Sequence, residues 1–209
     1  DLLAAAGCSY FVGREANSVY GETSNGIQVK AATQHQLPAG IDPYVVKGDP
    51  KSGLLPNVEP YDPNEKDGDG DRRVQAYNIR MCLTDVEANR IPFKKPATYD
   101  ERNYELLFRA IEKGWDPRKR NQGPMPNRKT DTNNHGGFAS DLIGRSWRWA
   151  EAGYAEREEI FREHLDYTQG FMWTLANHPR IPEEVRREYS RWGTCRDEFL
   201  DGAGDGWQR

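Results

Sequence analysis

Apolar residues are scarce in this sequence, and long hydrophobic runs are absent. Hydrophobic residues occupy only 36% of the 209 positions, charged residues occupy 30%, and the mean hydropathy is -0.94. No run approaches the ~18 apolar residues that a membrane span requires. The length allows one large or two small domains. Because the apolar supply is thin for that length, we expect another segment to complete part of the core.

Basic charge is not in excess either. The chain has 29 basic and 33 acidic residues, which are interspersed and give a formal net charge of -4. Nucleic acids and anionic lipid surfaces attract proteins through basic patches. We therefore expect neither nucleic acid nor a membrane as a partner, and a soluble protein.

Cysteine and histidine are too few and too scattered to predict a metal centre. The three cysteines, Cys8, Cys82 and Cys195, lack the close spacing of a redox pair or a zinc knuckle, and we expect them to be small buried residues. The histidines, of which His35 is the first, never recur at helical spacing. The acidic stretch 62–71 fails the EF-hand pattern, because neither register supplies both the required glycine and the terminal glutamate.

The N-terminal half has the patterns of short strands and long proline-rich loops. Residues 8–13 alternate as a short strand, and Asn25-Gly26 predicts a turn into a second strand over 27–29. Prolines recur between 36 and 71 and predict an extended, loop-rich segment.

An alternating strand over 73–83 carries two candidate substrate contacts. Ile79 and Met81 would lie on its core face, whereas Asn78 and Arg80 would share the opposite face. That opposite face points either to water or into a ligand pocket.

Helical patterns dominate the C-terminal half. A long amphipathic helix is predicted from about residue 151 to 177, and Pro182 begins another that would include Trp192 and Phe199. An earlier helix is predicted behind a capping box formed by Thr98 and Glu101, followed by a basic linker over 116–128. The fold class is therefore α+β, with a mostly α-helical C-terminal half.

The stretch 129–149 is the densest in recognition chemistry. Gly136 and Gly137 allow a turn or a close approach of the backbone to a ligand. Side chains suited to substrate contact surround them: Asn133, Asn134, Asp141 and Arg145. The alternative interpretation is a capped turn whose Asn and Asp side chains bond their own backbone.

His135 is the candidate acid or base, because an imidazole titrates near neutral pH and this one lies between an Asn pair and a Gly pair. The alternative is a structural histidine that bonds a nearby carbonyl. Tyr167 is a weaker candidate for substrate contact. We expect His164 to be a partly buried structural residue.

Four ordered blocks resemble one family: DLLAAAGCSYFVGREANSVYGETSNGIQ, RVQAYNIRMCLTD with NRIPF, KTDTNNHGGFASDLIG, and REHLDYTQGFMWTLANHPRIPEEVR. The sequence resembles the bacterial FAD-dependent oxidoreductases of the glutathione-reductase-like flavoprotein superfamily, some of which form a xanthan-lyase-like group. The resemblance implies FAD as cofactor and hydride transfer between the flavin and a small polar, carbohydrate-like substrate. It also implies a bacterial cytoplasm or periplasm as the compartment.

Family members open with a glycine-rich dinucleotide fingerprint, which this sequence lacks. The resemblance therefore implies an internal fragment that works with the remainder of its parent flavoprotein and is inactive alone. Residues 1–35 would be the edge of a flavin domain, 36–128 a loop-rich part of the substrate region, and 129–209 its helical cap. Arg14 and Glu15 would lie near the cofactor.

Two hypotheses of other classes remain open. The tryptophans and the Asn-rich loop are compatible with a non-catalytic carbohydrate- or partner-binding module, because aromatic faces stack on sugars and amides bond hydroxyls. A merely structural segment, partnered by the rest of its own chain, is the other.

Overall fold

The computed structural model describes residues 2–29, 36–60, 62–119 and 121–209; Asp1 and His35 lie outside these ranges. The described strands are β1 (Met81–Thr84), β2 (Arg90–Ile91), β3 (Asn121–Met125), β4 (Lys129–Asn133) and β5 (Gly193–Cys195). The described α-helices are α1 (Leu2–Ala5), α2 (Asn17–Tyr20), α3 (Glu105–Glu112), α4 (Tyr154–Asn177) and α5 (Glu183–Ser190). Helices and an antiparallel sheet in one chain confirm the α+β class.

The sheet has the strand order β2-β5-β1-β4-β3 among the described residues. Met81 of β1 lies opposite Thr132 of β4, and Leu83 lies opposite Thr194 of β5. The predicted linker over 116–128 is wrong, because its second half is β3. Since β3 is an edge strand with one unpaired side, it accommodates Pro124, which concealed it in the sequence.

The alternating pattern over 73–83 predicts burial correctly from residue 79 onward, but Tyr77 belongs to the same predicted core face and is exposed, and the strand is shorter than predicted. Ile79, Met81 and Leu83 are buried, and Arg80 is exposed, as expected. The regular ladder begins only at Met81, which lies opposite Thr132, one residue before the end of β4.

The long helix is the element that the sequence predicts best. Helix α4 covers Tyr154–Asn177, and its buried side chains share one hydrophobic core with those of β1. Pro182 precedes α5 as predicted. Trp192 and Phe199 do not belong to that helix, because it ends at Ser190 and the chain enters β5. No helix in the described ranges is long and apolar enough to cross a membrane.

The predicted capping box ahead of α3 is wrong. Thr98 donates its hydroxyl proton to Asp166 at 2.7 Å instead of capping the helix. Asp100 is the cap, since its carboxylate accepts from the backbone N–H of Arg102 at 3.0 Å. A 3₁₀ turn over Glu101–Tyr104 then leads into α3.

The predicted strands over 8–13 and 27–29 are wrong. This part of the chain is irregular apart from α1 and α2; an isolated β-bridge joins Arg14 to Asp71, and backbone hydrogen bonds join Ile27 to Gly68 and Asp69. The predicted turn at Gly26 is confirmed by its φ of 65°. A Cβ at this glycine would lie only 2.6 Å from the Asp69 carbonyl oxygen, so the turn also needs glycine for space.

Arg109 holds the proline-rich segment against α3. Its side chain is almost fully buried, and its guanidinium donates to the carbonyl oxygens of Asp42 at 2.8 Å and Tyr44 at 2.6 Å. A buried guanidinium needs such acceptors, and the irregular backbone supplies them. The segment 36–60 is therefore held against α3, and it lies beside the predicted recognition stretch, residues 129–149.

Candidate functional site

Antiparallel pairing brings two predicted contact residues together from distant positions. Because β1 and β4 run side by side, the amide of Asn78 reaches Asn133 and donates to its Oδ1 at 2.7 Å. The same Oδ1 accepts from the backbone N–H of Asn134 at 2.9 Å, and the Asn134 amide donates to Asp141. We call Asn78, Asn133, Asn134 and Asp141 the asparagine chain.

The two glycines after His135 allow close packing within the protein. A Cβ on Gly137 would lie 2.5 Å from the carbonyl oxygen of Gln36, and one on Gly136 would lie 2.9 Å from the Trp115 ring. The first of these contacts places segment 36–37 directly against the loop that follows β4. The predicted close approach is therefore made by the protein's own backbone.

A cavity of about 390 Å³ opens beside this contact; its lining is mostly apolar, and we call it the polar cavity after the few carboxylate and amide groups on its wall. Asp141 of the asparagine chain lines it, together with Asn57, Glu59 and the ring of Tyr167. Tyr167 is buried and its hydroxyl donates to the Ala139 carbonyl at 3.0 Å, so its ring forms the wall while its hydroxyl orders the loop.

Arg145 lies on a smaller cavity of about 180 Å³ that shares Asn57 and Tyr167 with the polar cavity. Its Nε is 3.6 Å from a Glu163 carboxylate oxygen and 3.4 Å from the Asn57 side-chain oxygen. Both guanidinium partners are at the edge of hydrogen-bonding distance, so the structure places a weakly held cation next to the polar cavity.

His135 and Arg80 lie apart from the polar cavity. His135 is exposed and lines a recess of only about 30 Å³, which is the space of a water molecule and not of a substrate. Arg80 is half exposed and forms a two-pronged ion pair with Asp131. Neither side chain touches the asparagine chain through a hydrogen bond recorded among the described residues.

A third cavity, of about 360 Å³, has Asn78 among its lining residues. Four of its ten lining residues carry rings, and we call it the aromatic cavity; the ring-bearing residues are Tyr77, Trp149, Phe161 and His164. The rings of Tyr77 and Trp149 meet edge to face, with centroids 6.2 Å apart.

His164 is the functional candidate that the sequence conceals. It is 5% exposed, and its Nδ1 lies 2.7 Å from the Ile160 carbonyl oxygen. Its Nε2 is buried and has no hydrogen-bond partner among the described residues. Burial lowers the pKa of the imidazole, although the Ile160 carbonyl and the carboxylates of Glu163 and Asp141 act in the opposite direction. The only sequence signal is a polar residue on the apolar face of a long helix.

A model of the family described as FAD dependent oxidoreductase matches residues 1–206 of the chain. The chain belongs to this family. Searches of curated proteins and of solved structures found no match. Membership confirms the resemblance at the level of a flavin-dependent oxidoreductase family and implies a role related to FAD and a small-molecule substrate.

The nucleotide half of FAD does not fit the residues that the structure describes. Arg14 forms a two-pronged ion pair with Asp71, which also binds Arg73, so the guanidinium is already neutralised. Burial raises the pKa of Asp71, but the hydrogen bonds and charges of the two arginines outweigh burial and bring the pKa to about 2. Within the described ranges, no glycine-rich loop leads into a helix N-terminus that could cradle a pyrophosphate.

The sheet brings together two cysteines that lie far apart in the sequence. Cys82 and Cys195 occupy neighbouring positions on β1 and β5, and their sulfurs are 3.7 Å apart. Burial raises the pKa of both thiols, that of Cys195 to about 12, so both are neutral at pH 7. The expectation of buried cysteines is confirmed only for Cys195, because Cys82 is half-buried and Cys8 is exposed. No group of metal-ligating side chains occurs in the described part of the chain.

Proposed function

We propose that this chain forms the substrate region of a FAD-dependent oxidoreductase that transfers hydride between the flavin and a small polar, carbohydrate-like substrate. The supporting observation is the asparagine chain, which ends at Asp141 on the wall of the polar cavity. A cavity of about 390 Å³ lies within the usual range for small-molecule sites. Amides and carboxylates are suited to hydroxyl-rich ligands, because together they accept and donate hydrogen bonds.

Five of the predicted residues have distinct proposed roles. Asp141 accepts hydroxyl protons, and Asn134 orients that carboxylate. Arg145 attracts a polar or anionic group from the adjoining cavity. The ring of Tyr167 supplies an apolar wall for the substrate. His135 remains the proposed acid or base, although its exposed side chain lies outside the polar cavity, on the loop that also carries Asn134.

We further propose that the flavin is held mainly by the remainder of the parent flavoprotein. The ion pair of Arg14 with Asp71 supports this proposal, because it leaves Arg14 without a free charge to bind a phosphate of the cofactor. In this arrangement Arg14 and Glu15 order the surface that faces the cofactor domain, residues 36–128 form the loop-rich wall, and residues 129–209 form the cap. The four sequence blocks support placing the chain in the bacterial glutathione-reductase-like, xanthan-lyase-like group.

Sugar titration monitored by NMR tests the proposed substrate site. Glucose, N-acetylglucosamine and glucuronate are added to the isotope-labelled chain, and the side-chain amide signals of Asn134 and Asn57 are followed. We expect at least one sugar to shift them, and we expect Asp141→Ala to abolish the shift. Asp131→Ala is the matched control, since it removes an exposed carboxylate that pairs with Arg80 outside the polar cavity. Equal losses in both variants, or no shift with any sugar, would contradict the proposal.

The same titration separates the proposal from a non-catalytic carbohydrate-binding module. One observation favours the module: Trp149 lines a cavity beside Tyr77, where a sugar could stack. A module of this kind would lose sugar binding in Trp149→Ala and retain it in Asp141→Ala. The substrate-region proposal requires the reverse.

A further inference from the structure

We propose that the aromatic cavity is a second binding site, for a neutral aromatic molecule that carries an O–H or N–H donor on its ring. This site is separate from the polar cavity, and the inference does not depend on the proposed oxidoreductase role. It rests on three features of the described residues: a buried acceptor without a partner, aromatic walls, and charges that are already paired.

His164 supplies the acceptor. The Ile160 carbonyl can only accept a hydrogen bond, so the imidazole Nδ1 at 2.7 Å from it must carry the proton. The other ring nitrogen, Nε2, then has a bare lone pair in the neutral imidazole. Because this nitrogen is buried without a partner, it loses its hydrogen bond to water and gains none from the described residues, which costs free energy. Because His164 lines the aromatic cavity, a small shift of its ring would let the donor group of a ligand reach Nε2 and remove that cost.

The side chains that line the cavity favour a ligand with an aromatic ring system. Tyr77, Trp149 and Phe161 line the cavity with His164, and Ile160 adds an aliphatic surface. Tyr77 and Trp149 remain partly exposed, so their ring surfaces are accessible from solvent. Aromatic pairs gain energy beyond simple area burial, through offset-stacked or edge-to-face contacts. The cavity volume of about 360 Å³ is sufficient for a fused two-ring molecule.

The charges at the cavity favour a neutral ligand. Arg80 is paired with Asp131, and Arg209 donates to a Glu158 carboxylate at 2.6 Å. Both cations are therefore already neutralised by carboxylates, and an anionic ligand would have to displace one of them. A neutral ligand needs no such exchange.

Calorimetric titration of the wild-type chain with two matched probes tests this inference without any variant. Naphthol has a fused aromatic body and one O–H donor, and naphthyl methyl ether has the same body without the donor. We expect naphthol to bind at least about tenfold more tightly, because only naphthol satisfies the buried acceptor. Equal affinities, or no binding of naphthol, would overturn the inference.

A substitution then assigns the donor preference to one atom. His164→Phe keeps a ring of similar size and removes the acceptor, so the affinity for naphthol should fall to that for the ether. His178→Phe is the matched control, because it removes another buried histidine, beyond the C-terminus of α4 and outside the aromatic cavity. The inference is wrong if naphthol keeps its preference over the ether in His164→Phe. It is also wrong if His178→Phe abolishes that preference in a folded protein.

Discussion

The contact at Gly137 offers a direct test of how the polar cavity is built. Replacing this glycine by alanine places a Cβ 2.5 Å from the Gln36 carbonyl oxygen, whereas ordinary contacts begin at 3.4 Å. The backbone of segment 36–37 or of the loop after β4 must therefore move by about 0.9 Å, the difference between those two distances. Because the obstructing atoms belong to backbone, no side-chain rotation relieves the clash.

We expect Gly137→Ala to cost about 1–3 kcal/mol in the free energy of unfolding, as overpacking usually does. For a chain of this size that corresponds to a fall in Tm of roughly 2–12 °C, measurable by circular dichroism. Trypsin should also cleave faster after Lys47 and Lys51, because the segment that carries them is displaced from the loop. Gly123→Ala is the matched control, since its Cβ meets only the Asp131 carbonyl oxygen at 3.7 Å. The reasoning is refuted if both variants melt together and are cleaved at the same rate.

Two further predictions concern stability. Asp71 has a folded-state pKa of about 2, below its ordinary 3.8, so its ion pairs stabilise the native state above about pH 4 and this contribution is lost as the pH falls towards 2. Allowing for the partial exposure of Arg14, we expect Asp71→Asn to lower the free energy of unfolding by about 1–2 kcal/mol at pH 7, as measured by urea denaturation. The variant should also lose less stability than the wild type between about pH 4 and pH 2. An equal loss in both proteins over that range would contradict the prediction. Asn133→Ala should cost about 1–2 kcal/mol, because it removes the acceptor of two hydrogen bonds, whereas Asn133→Asp retains an acceptor and should cost less in the same assay; equal losses would show that the acceptor is unimportant.

Local patterns in the sequence predict the helices better than the sheet. Helix α4 is predictable because it repeats an apolar face over many turns, and helices are stabilised largely by packing of such a face. The hairpin of β3 and β4 is concealed because Gly123 and Pro124 weaken the strand signal, and only edge position makes them acceptable. The three residues of β5 are too short to produce a pattern.

In the candidate site, too, contacts between residues that are close in sequence are predictable, whereas contacts between distant residues are not. Asn133, Asn134 and Asp141 are close in sequence, so a shared role is predictable from one stretch. The contact of Asn78 with Asn133 depends on the register between β1 and β4, which no local pattern encodes. The unpartnered nitrogen of His164 depends on which element covers α4, so its significance appears only in three dimensions.

Flavin retention tests the central claim most directly. The purified chain is incubated with excess FAD and desalted, and the flavin absorbance of the protein fraction is recorded. If the chain supplies the substrate region while other parts of the parent flavoprotein hold the cofactor, the flavin should separate completely from the protein. Retention of one FAD per chain would contradict that division, and it would show that this chain forms a dinucleotide site, which the paired Arg14 gives no reason to expect.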